Sequence, residues 1–237
     1  MTPLAEQADA LFGLHLTSEQ IAQFEVYQRE LLAWNERVNL TAITAPEAVQ
    51  VRHFLDSLSI VQVVPPRSGM RVIDIGSGAG FPGLPLQIVF PELRVTLLES
   101  TGKKVKFLQH IIDTLGLTNA RTLHARAEDA AHMPDERDAY DLVLARAVAR
   151  LPSLLEYMLP FATLRGRCIA MKGVTAAEEA QSAAHALTLL GGHLRGIERI
   201  ELPNVEDEHN LVVVEKIERT PDAYPRRPGM PTQNPLV

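Results

Sequence analysis

The sequence predicts an α/β protein: a doubly wound, mostly parallel sheet, preceded by a helical extension and closed by an antiparallel pair of strands. Three observations carry that expectation. From residue 71 onward, short apolar runs alternate with helix-length segments, as a parallel sheet with helices on both faces requires. The last two runs, "HLRGIERIELP" and "NLVVVEKI", have no helix between them, so they pair as a hairpin at one edge. Ahead of residue 70 the apolar residues recur at helical spacing.

In order along the chain, "TSEQIAQFEVYQRELLAWNERVNL" opens with a cap at Thr17 or Ser18 and repeats Ile21, Phe24, Leu31, Leu32 and Val38 on one helical face. A second helix runs through "PEAVQVRHFLDSLSIVQVV", with Pro46 in its first turn. "PPRSG" at 65–69 ends the extension, which therefore spans residues 1–69. The strand "RVIDI" leads to a helix from about Pro82, and "RVTLLE" to the helix "KKVKFLQHIIDTLG". "ARTLHA" follows, then "YDLVLAR" with a helix from about Ser153, then "GRCIAMKG" with one Ala-rich helix, "AAEEAQSAAHALTLLG". The sheet domain spans 70–217, and 218–237 is a Pro-rich tail.

Bulk properties exclude several classes. At 237 residues, with 46% hydrophobic and 22% charged, the chain can bury a full core. The first residues carry no Lys or Arg ahead of an apolar run, and no apolar run is long enough to span a bilayer, so a soluble, cytoplasmic protein is expected. One cysteine, Cys168, leaves no internal disulfide and no cysteine zinc cage. Net charge is −6, which speaks against a general nucleic-acid binder and against DNA. Charge is uneven, however: residues 141–172 hold Arg146, Arg150, Arg165, Arg167 and Lys172 against only Asp141 and Glu156. A local basic face on an acidic body is the expected arrangement.

The stretch "RVIDIGSGAGFPGLPL" decides the cofactor. Gly78, Gly80 and Gly83 match the dinucleotide pattern G-x-G-x-x-G, which would suit a nicotinamide-dependent oxidoreductase. Asp74, Gly76, Gly78 and Gly80 also form D-x-G-x-G-x-G. A carboxylate at the strand end repels a pyrophosphate but tolerates the sulfonium and ammonium of S-adenosylmethionine. Glu99 ends the second strand, where an acid accepts ribose hydroxyls. In "RAEDA" after the third strand, Glu128 or Asp129, with the Ala127 backbone, faces an adenine amino group. Arg146 ends the fourth strand on the same edge, placed to contact a base, a phosphate or the cofactor side of the pocket. Lys172 ends the fifth strand there.

Little else in the sequence looks like acid–base machinery. No His or Asp cluster has metal-ligand spacing, Cys168 lies inside an apolar strand, and the eight histidines are scattered. A ring nitrogen with a free lone pair, such as guanine N7, needs no proton removed before it attacks a methyl group. No catalytic side chain is therefore required beyond those that align the acceptor.

Five segments, "WNERVNLTAI", "RHFLDSL", "VIDIGSGAGFPGLPLQIVFP", "LLESTGKKVKFL" and "YPRRPGMPTQNPL", together with "ARAVARL" and "MKG", resemble the RsmG family, also called glucose-inhibited division protein B. The match runs essentially end to end. The resemblance implies a class I, Rossmann-like methyltransferase fold of seven strands, with S-adenosylmethionine as cofactor. It implies methylation of N7 of a guanine in 16S rRNA, the family's guanine 527, on bare RNA, the small subunit or an assembly intermediate. It implies cofactor contacts at Gly76, Phe81, Ala127 with Glu128, and Arg146. It also places "RHFLDSL" and the tail near the cofactor and RNA mouth, which makes His53, Asp56 and Ser57 functional and makes Arg226 and Arg227 RNA contacts. A monomer is expected. A ribosome-assembly factor without catalysis is the other alternative, and the intact Asp74–Gly80 loop with Glu99 argues against it.

Overall fold

The structure is a computed structural model that describes residues 2–237. Its N-terminal part comprises α1 (Thr2–Phe12) and α2 (Ser18–Val38), then α3 (Pro46–Val49), a π-helical turn over Gln50–Leu55, and α4 (Asp56–Leu58). The Thr17 side chain accepts from the Gln20 backbone while the Gln20 side chain returns the bond, a reciprocal cap that fixes the start of α2. The helix over Thr2–Phe12 was not singled out in the sequence.

The sheet contains β1 (Arg71–Ile75), β2 (Arg94–Glu99), β3 (Ala120–His124), β4 (Tyr140–Arg146), β5 (Ala162–Lys172), β6 (Gly192–Ile200) and β7 (His209–Lys216). Their order is β3-β2-β1-β4-β5-β7-β6. The first five run parallel, and β7 inserts antiparallel between β5 and β6. The expected seven strands and closing hairpin are thus present. Helices α5 (Gly83–Val89), α6 (Gly102–Leu115), α7 (Ala127–Ala130), α8 (Leu151–Met158), α9 (Ala176–Ser182) and α10 (Ala184–Leu190) connect them, and α11 (Met230–Gln233) lies in the tail.

Alternation along the strands builds two cores. Val72, Leu97, Leu142 and Leu144 join Leu4, Phe24, Tyr27, Phe54 and Phe107, so the N-terminal helices share one core with the sheet. Ile73, Ile75, Val143 and Ala145 face Leu151, Leu154, Leu187 and Leu190 on the other side. Strands buried on both faces read as near-continuous apolar runs, which is why "RVIDI" and "YDLVLAR" were legible as strands. The Ala-rich segment differs from expectation: it forms two helices, broken at Ala183. The Ser182 hydroxyl donates to the Glu179 carbonyl 2.9 Å away at the break, a local bond that competes with the helix. Among the described residues, no helix is long and apolar enough to cross a membrane.

Candidate functional site

The carboxyl ends of β1, β2 and β4 carry the predicted residues to one edge. The loop leaving β1 turns through Gly76, Gly78 and Gly80, all at positive φ. A Cβ on Gly76 would lie 2.9 Å from the Val148 side chain, and one on Gly80 would run into Leu84 and the Tyr27 hydroxyl. Only glycine satisfies both the backbone angle and the space there. Glu99, buried at the end of β2, ties two loops together: it accepts from the Gly78 backbone at 3.0 Å and from Thr101 at 2.7 Å.

Asp74 is fully buried beneath the loop. Its Oδ2 accepts from the Gly83 backbone at the start of α5, 2.9 Å away, while Oδ1 has no hydrogen-bond partner. Burial pushes its carboxyl up to about 7, with Glu99 adding to the rise and the Gly83 N–H and Arg146 opposing it. Glu128 accepts from the Gly229 backbone at 3.0 Å, which draws the C-terminal tail against the site. Between these elements lies a cavity of about 200 Å³, whose walls include Gly76, Ser100, Ala127, Glu128, Tyr157 and Thr232.

A second cavity, about 490 Å³, opens on the other side of the β4 end, with Arg52, His53, Asp56, Arg146, Lys172 and His209 in its wall. Ala147, between the two cavities, adopts φ 56°, a conformation in which a residue with a Cβ is strained. The Arg146 guanidinium organises this side. It donates to the Arg52 carbonyl at 3.0 Å and to Asp56 Oδ2 at 3.0 Å, reaches His53 Nδ1 at 3.2 Å, and lies 5.0 Å over the Phe81 ring. His209 Nδ1 meets the other Asp56 oxygen at 3.0 Å. The π-helical turn widens the helix where Arg52 and His53 sit, and Asp56 follows directly.

His53 stacks on Phe81 with ring centroids 4.5 Å apart, and Tyr27 stacks on the opposite side at 5.4 Å. Burial and the adjacent Arg146 charge push the imidazole down to about 4, so it is neutral at physiological pH. Its Nδ1 lies between the Arg146 guanidinium at 3.2 Å and the Arg52 carbonyl at 3.0 Å, and its Nε2 lies 2.8 Å from the Thr41 hydroxyl. Cys168 is buried, and burial raises its thiol to about 12, so no thiolate nucleophile is present. Among the described residues no group of three or more His, Cys, Asp or Glu is placed to hold a metal ion.

Of the predicted residues, Gly76, Ala127 and Glu128 line the smaller cavity, while Asp74, Gly78, Gly80 and Glu99 lie in or beneath the loops beside it without reaching its wall; His53, Asp56, Arg146 and Lys172 line the larger. Several residues sit differently from the sequence reading. Phe81, taken as a cofactor wall, lies in the aromatic stack behind His53. Ser57 is buried and donates to the His53 carbonyl four residues back. Lys172 pairs with Glu179 at 2.8 Å and is nearly buried. Arg226 grips the fully buried Glu156 through Nε and Nη and holds the Asn234 carbonyl. Its guanidinium is thus committed inside the protein, whereas Arg227 is exposed. Sequence reasoning missed Tyr27, Thr41, Val148, Thr232 and His209. His209 opens β7 directly after the acidic stretch "EDE", and no local signal marked it.

Residues 20–212 match the family described as rRNA small subunit methyltransferase G. The ribosomal RNA small subunit methyltransferase G of Halalkalibacterium halodurans is 48% identical over 224 residues, covering 94% of each chain. The protein of the same name from Desulforamulus reducens is 42% identical over 237 residues, covering all of this chain and 99% of its own. Among solved structures, a SAM-dependent methyltransferase from Aquifex aeolicus superposes with a TM-score of 0.54 at 17% identity, covering 73% of this chain and 94% of that one. At that identity the likeness speaks for the fold, which is the Rossmann-like fold of class I methyltransferases.

Proposed function

The chain belongs to the rRNA small subunit methyltransferase G family, and on that premise we propose that it uses S-adenosylmethionine to methylate N7 of a guanine in 16S rRNA, at the family's guanine 527. The observation that carries this reading is the pair of cavities on either side of Arg146–Val148, one lined by Gly76, Ala127 and Glu128 beside the glycine loop, the other by a side-chain network around Arg146.

The smaller cavity fits a cationic adenosyl donor. Glycine backbone stands where a Cβ would collide, and Asp74 keeps one buried oxygen without a partner. Glu99 and Glu128 add carboxylate oxygens with lone pairs left for hydroxyl and amino donors. Glu99 and Glu128 at this edge oppose a pyrophosphate, so the dinucleotide reading of Gly78, Gly80 and Gly83 is disfavoured. S-adenosylmethionine supplies a methyl group on a positively charged sulfur. This chain's own residues bind it, hold the acceptor in line and keep water out. Arg146, fixed by Asp56, His53 and the Arg52 carbonyl, presents a rigid donor to the acceptor edge of a base. A guanine N7 lone pair has no proton to lose, which agrees with a neutral His53 and an inert Cys168. The cytoplasm, where small subunits are built, is the proposed location, and a monomer the proposed state.

Mass spectrometry of 16S rRNA after reaction with purified small subunits, and with bare RNA, tests the assignment. The expected product is a single 7-methylguanine that requires S-adenosylmethionine. Selective calorimetric binding of NAD, or a methyl group on another atom, would overturn it.

A further inference from the structure

A third cavity, about 370 Å³, lies at the opposite, amino edge of the sheet. The first residues of four parallel strands line it: Arg71 of β1, Arg94 of β2, Ala120 of β3 and Tyr140 of β4. Arg121 completes a set of three arginines in a wall that contains no acidic residue. Its floor is polar and buried: the Tyr140 hydroxyl donates to the Glu136 carboxylate and lies 3.2 Å from the Thr96 hydroxyl.

The three cations are not equally matched. Arg121 is bound by Glu136 at 2.8 Å. Arg71 and Arg94 are paired across β1 and β2 in the sheet register, which sets two like charges side by side. The Arg71 guanidinium touches the Asp135 carbonyl and lies over the Tyr140 ring, but reaches no carboxylate. Among the described residues nothing hydrogen-bonds or ion-pairs with the Arg94 guanidinium, which is exposed. Two adjacent guanidinium groups, neither bonded to a carboxylate although Glu136 lies near enough to feel the Arg71 charge, fit a tetrahedral oxyanion beside a polar cavity.

We propose that this amino-edge cavity is a second docking site of the proposed rRNA methyltransferase, taking a backbone phosphate of the structured RNA. The inference rests on the reading of the substrate as RNA. Six residues of β4 separate Tyr140 here from Arg146 at the proposed reaction centre, roughly 20 Å of strand. An RNA held at both ends of β4 is gripped along the strand direction, from one edge of the sheet to the other. That gives an acidic protein local purchase without a generally basic surface. A free nucleotide offers the same phosphate chemistry, so the test separates the two sources.

The experiment compares wild type with Arg71→Ala/Arg94→Ala, Arg94→Glu and Arg94→Lys in three measurements: filter binding of small-subunit particles across a salt series, methylation kinetics, and calorimetry with S-adenosylmethionine and with guanosine monophosphate. Cofactor binding equal to wild type reports an intact fold. The expected result for the double variant is particle affinity weakened about tenfold, with a salt slope shallower by about one. KM should rise with kcat unchanged, and Arg94→Lys should restore most of the affinity. Unchanged particle affinity and salt slope in the double variant would overturn the proposal. So would loss of nucleotide binding alone, which would assign the cavity to a free ligand. Failure of wild type to methylate the particle would instead count against the substrate reading, since filter binding reports the docking site independently.

Discussion

The cavity on the Gly76 side of β4 takes most of its wall from the ends of β1, β2 and β3 within residues 75–128, with Val148, Tyr157 and Thr232 added from later in the chain. The cavity on the Arg146 side draws its wall from residues 43–56, 146–147, 171–173 and 207–211. In the first, the turn at Gly76 leaves no room for a side chain, since a Cβ there would lie 2.9 Å from Val148. In the second, one guanidinium collects partners from distant segments, so the site depends on tertiary packing and degrades by degrees. Tight geometric tolerance on one side and a shared network on the other is the contrast that substitutions can break.

The largest effect is expected from Gly76→Asp. The residue sits at φ 64°, its Cβ would press on Val148, and the carboxylate would enter the smaller cavity. S-adenosylmethionine affinity by calorimetry should fall by roughly a hundredfold or more, while particle binding stays near wild type. Undiminished cofactor binding would show that this cavity is not the donor site.

Arg146→Ala should rank next. It strips the buried Asp56 of its strongest partner, which costs about 3 kcal/mol in urea unfolding, and it should lower kcat on the order of a hundredfold through lost alignment. Arg146→Lys should recover stability better than rate, because one ammonium cannot serve Asp56, His53 and the Arg52 carbonyl together. Arg226→Ala makes a matched test in the tail. Glu156 is fully buried, so the loss should again approach about 3 kcal/mol, whereas Arg227→Ala should leave the melting temperature unchanged. Equal, small effects at both positions would remove the structural role assigned to Arg226.

The same contrast explains what the sequence disclosed. Asp74, the glycines and Glu99 lie at strand ends whose spacing follows from the βαβ repeat, so position alone pointed to them. Arg146 and Lys172 were legible for that reason too, as ends of "YDLVLAR" and "GRCIAMKG". His53 and Asp56 came only through the family resemblance, because a polar residue on a helix looks the same whether it faces solvent or Arg146. His209 and Tyr27 stayed hidden, since their neighbours Asp56 and Ala79 are 153 and 52 residues away in sequence. Arg226 was misjudged in kind: a tail arginine reads as exposed until the fully buried Glu156 is seen beneath it.

A pH series probes the glycine side with a smaller effect. The Asp74 carboxyl titrates at about 7 when folded, against 3.8 for the ordinary group. The folded state therefore holds the proton more tightly, so Asp74 lowers stability progressively as pH rises from about 4 to 7. Asp74→Asn keeps an acceptor for Gly83 and removes that titration. Its stability relative to wild type should rise steadily between pH 4 and pH 7 and level off above. A difference that does not change with pH would mean that Asp74 is ionised throughout.

His209→Ala should have the smallest effect, because its imidazole is only the outer partner of Asp56 and lies where water can replace it. A stability loss of about 1 kcal/mol and a kcat reduction of a few fold are expected. The informative measurement is the double-mutant cycle with Arg146→Ala. Arg146 and His209 hold opposite oxygens of one buried carboxylate. Removing both should therefore cost more than the sum of the single losses, since each alone leaves Asp56 one partner. Simple additivity would mean that the two side chains act separately, and the larger cavity would then be an assembly of independent contacts instead of a network centred on Asp56.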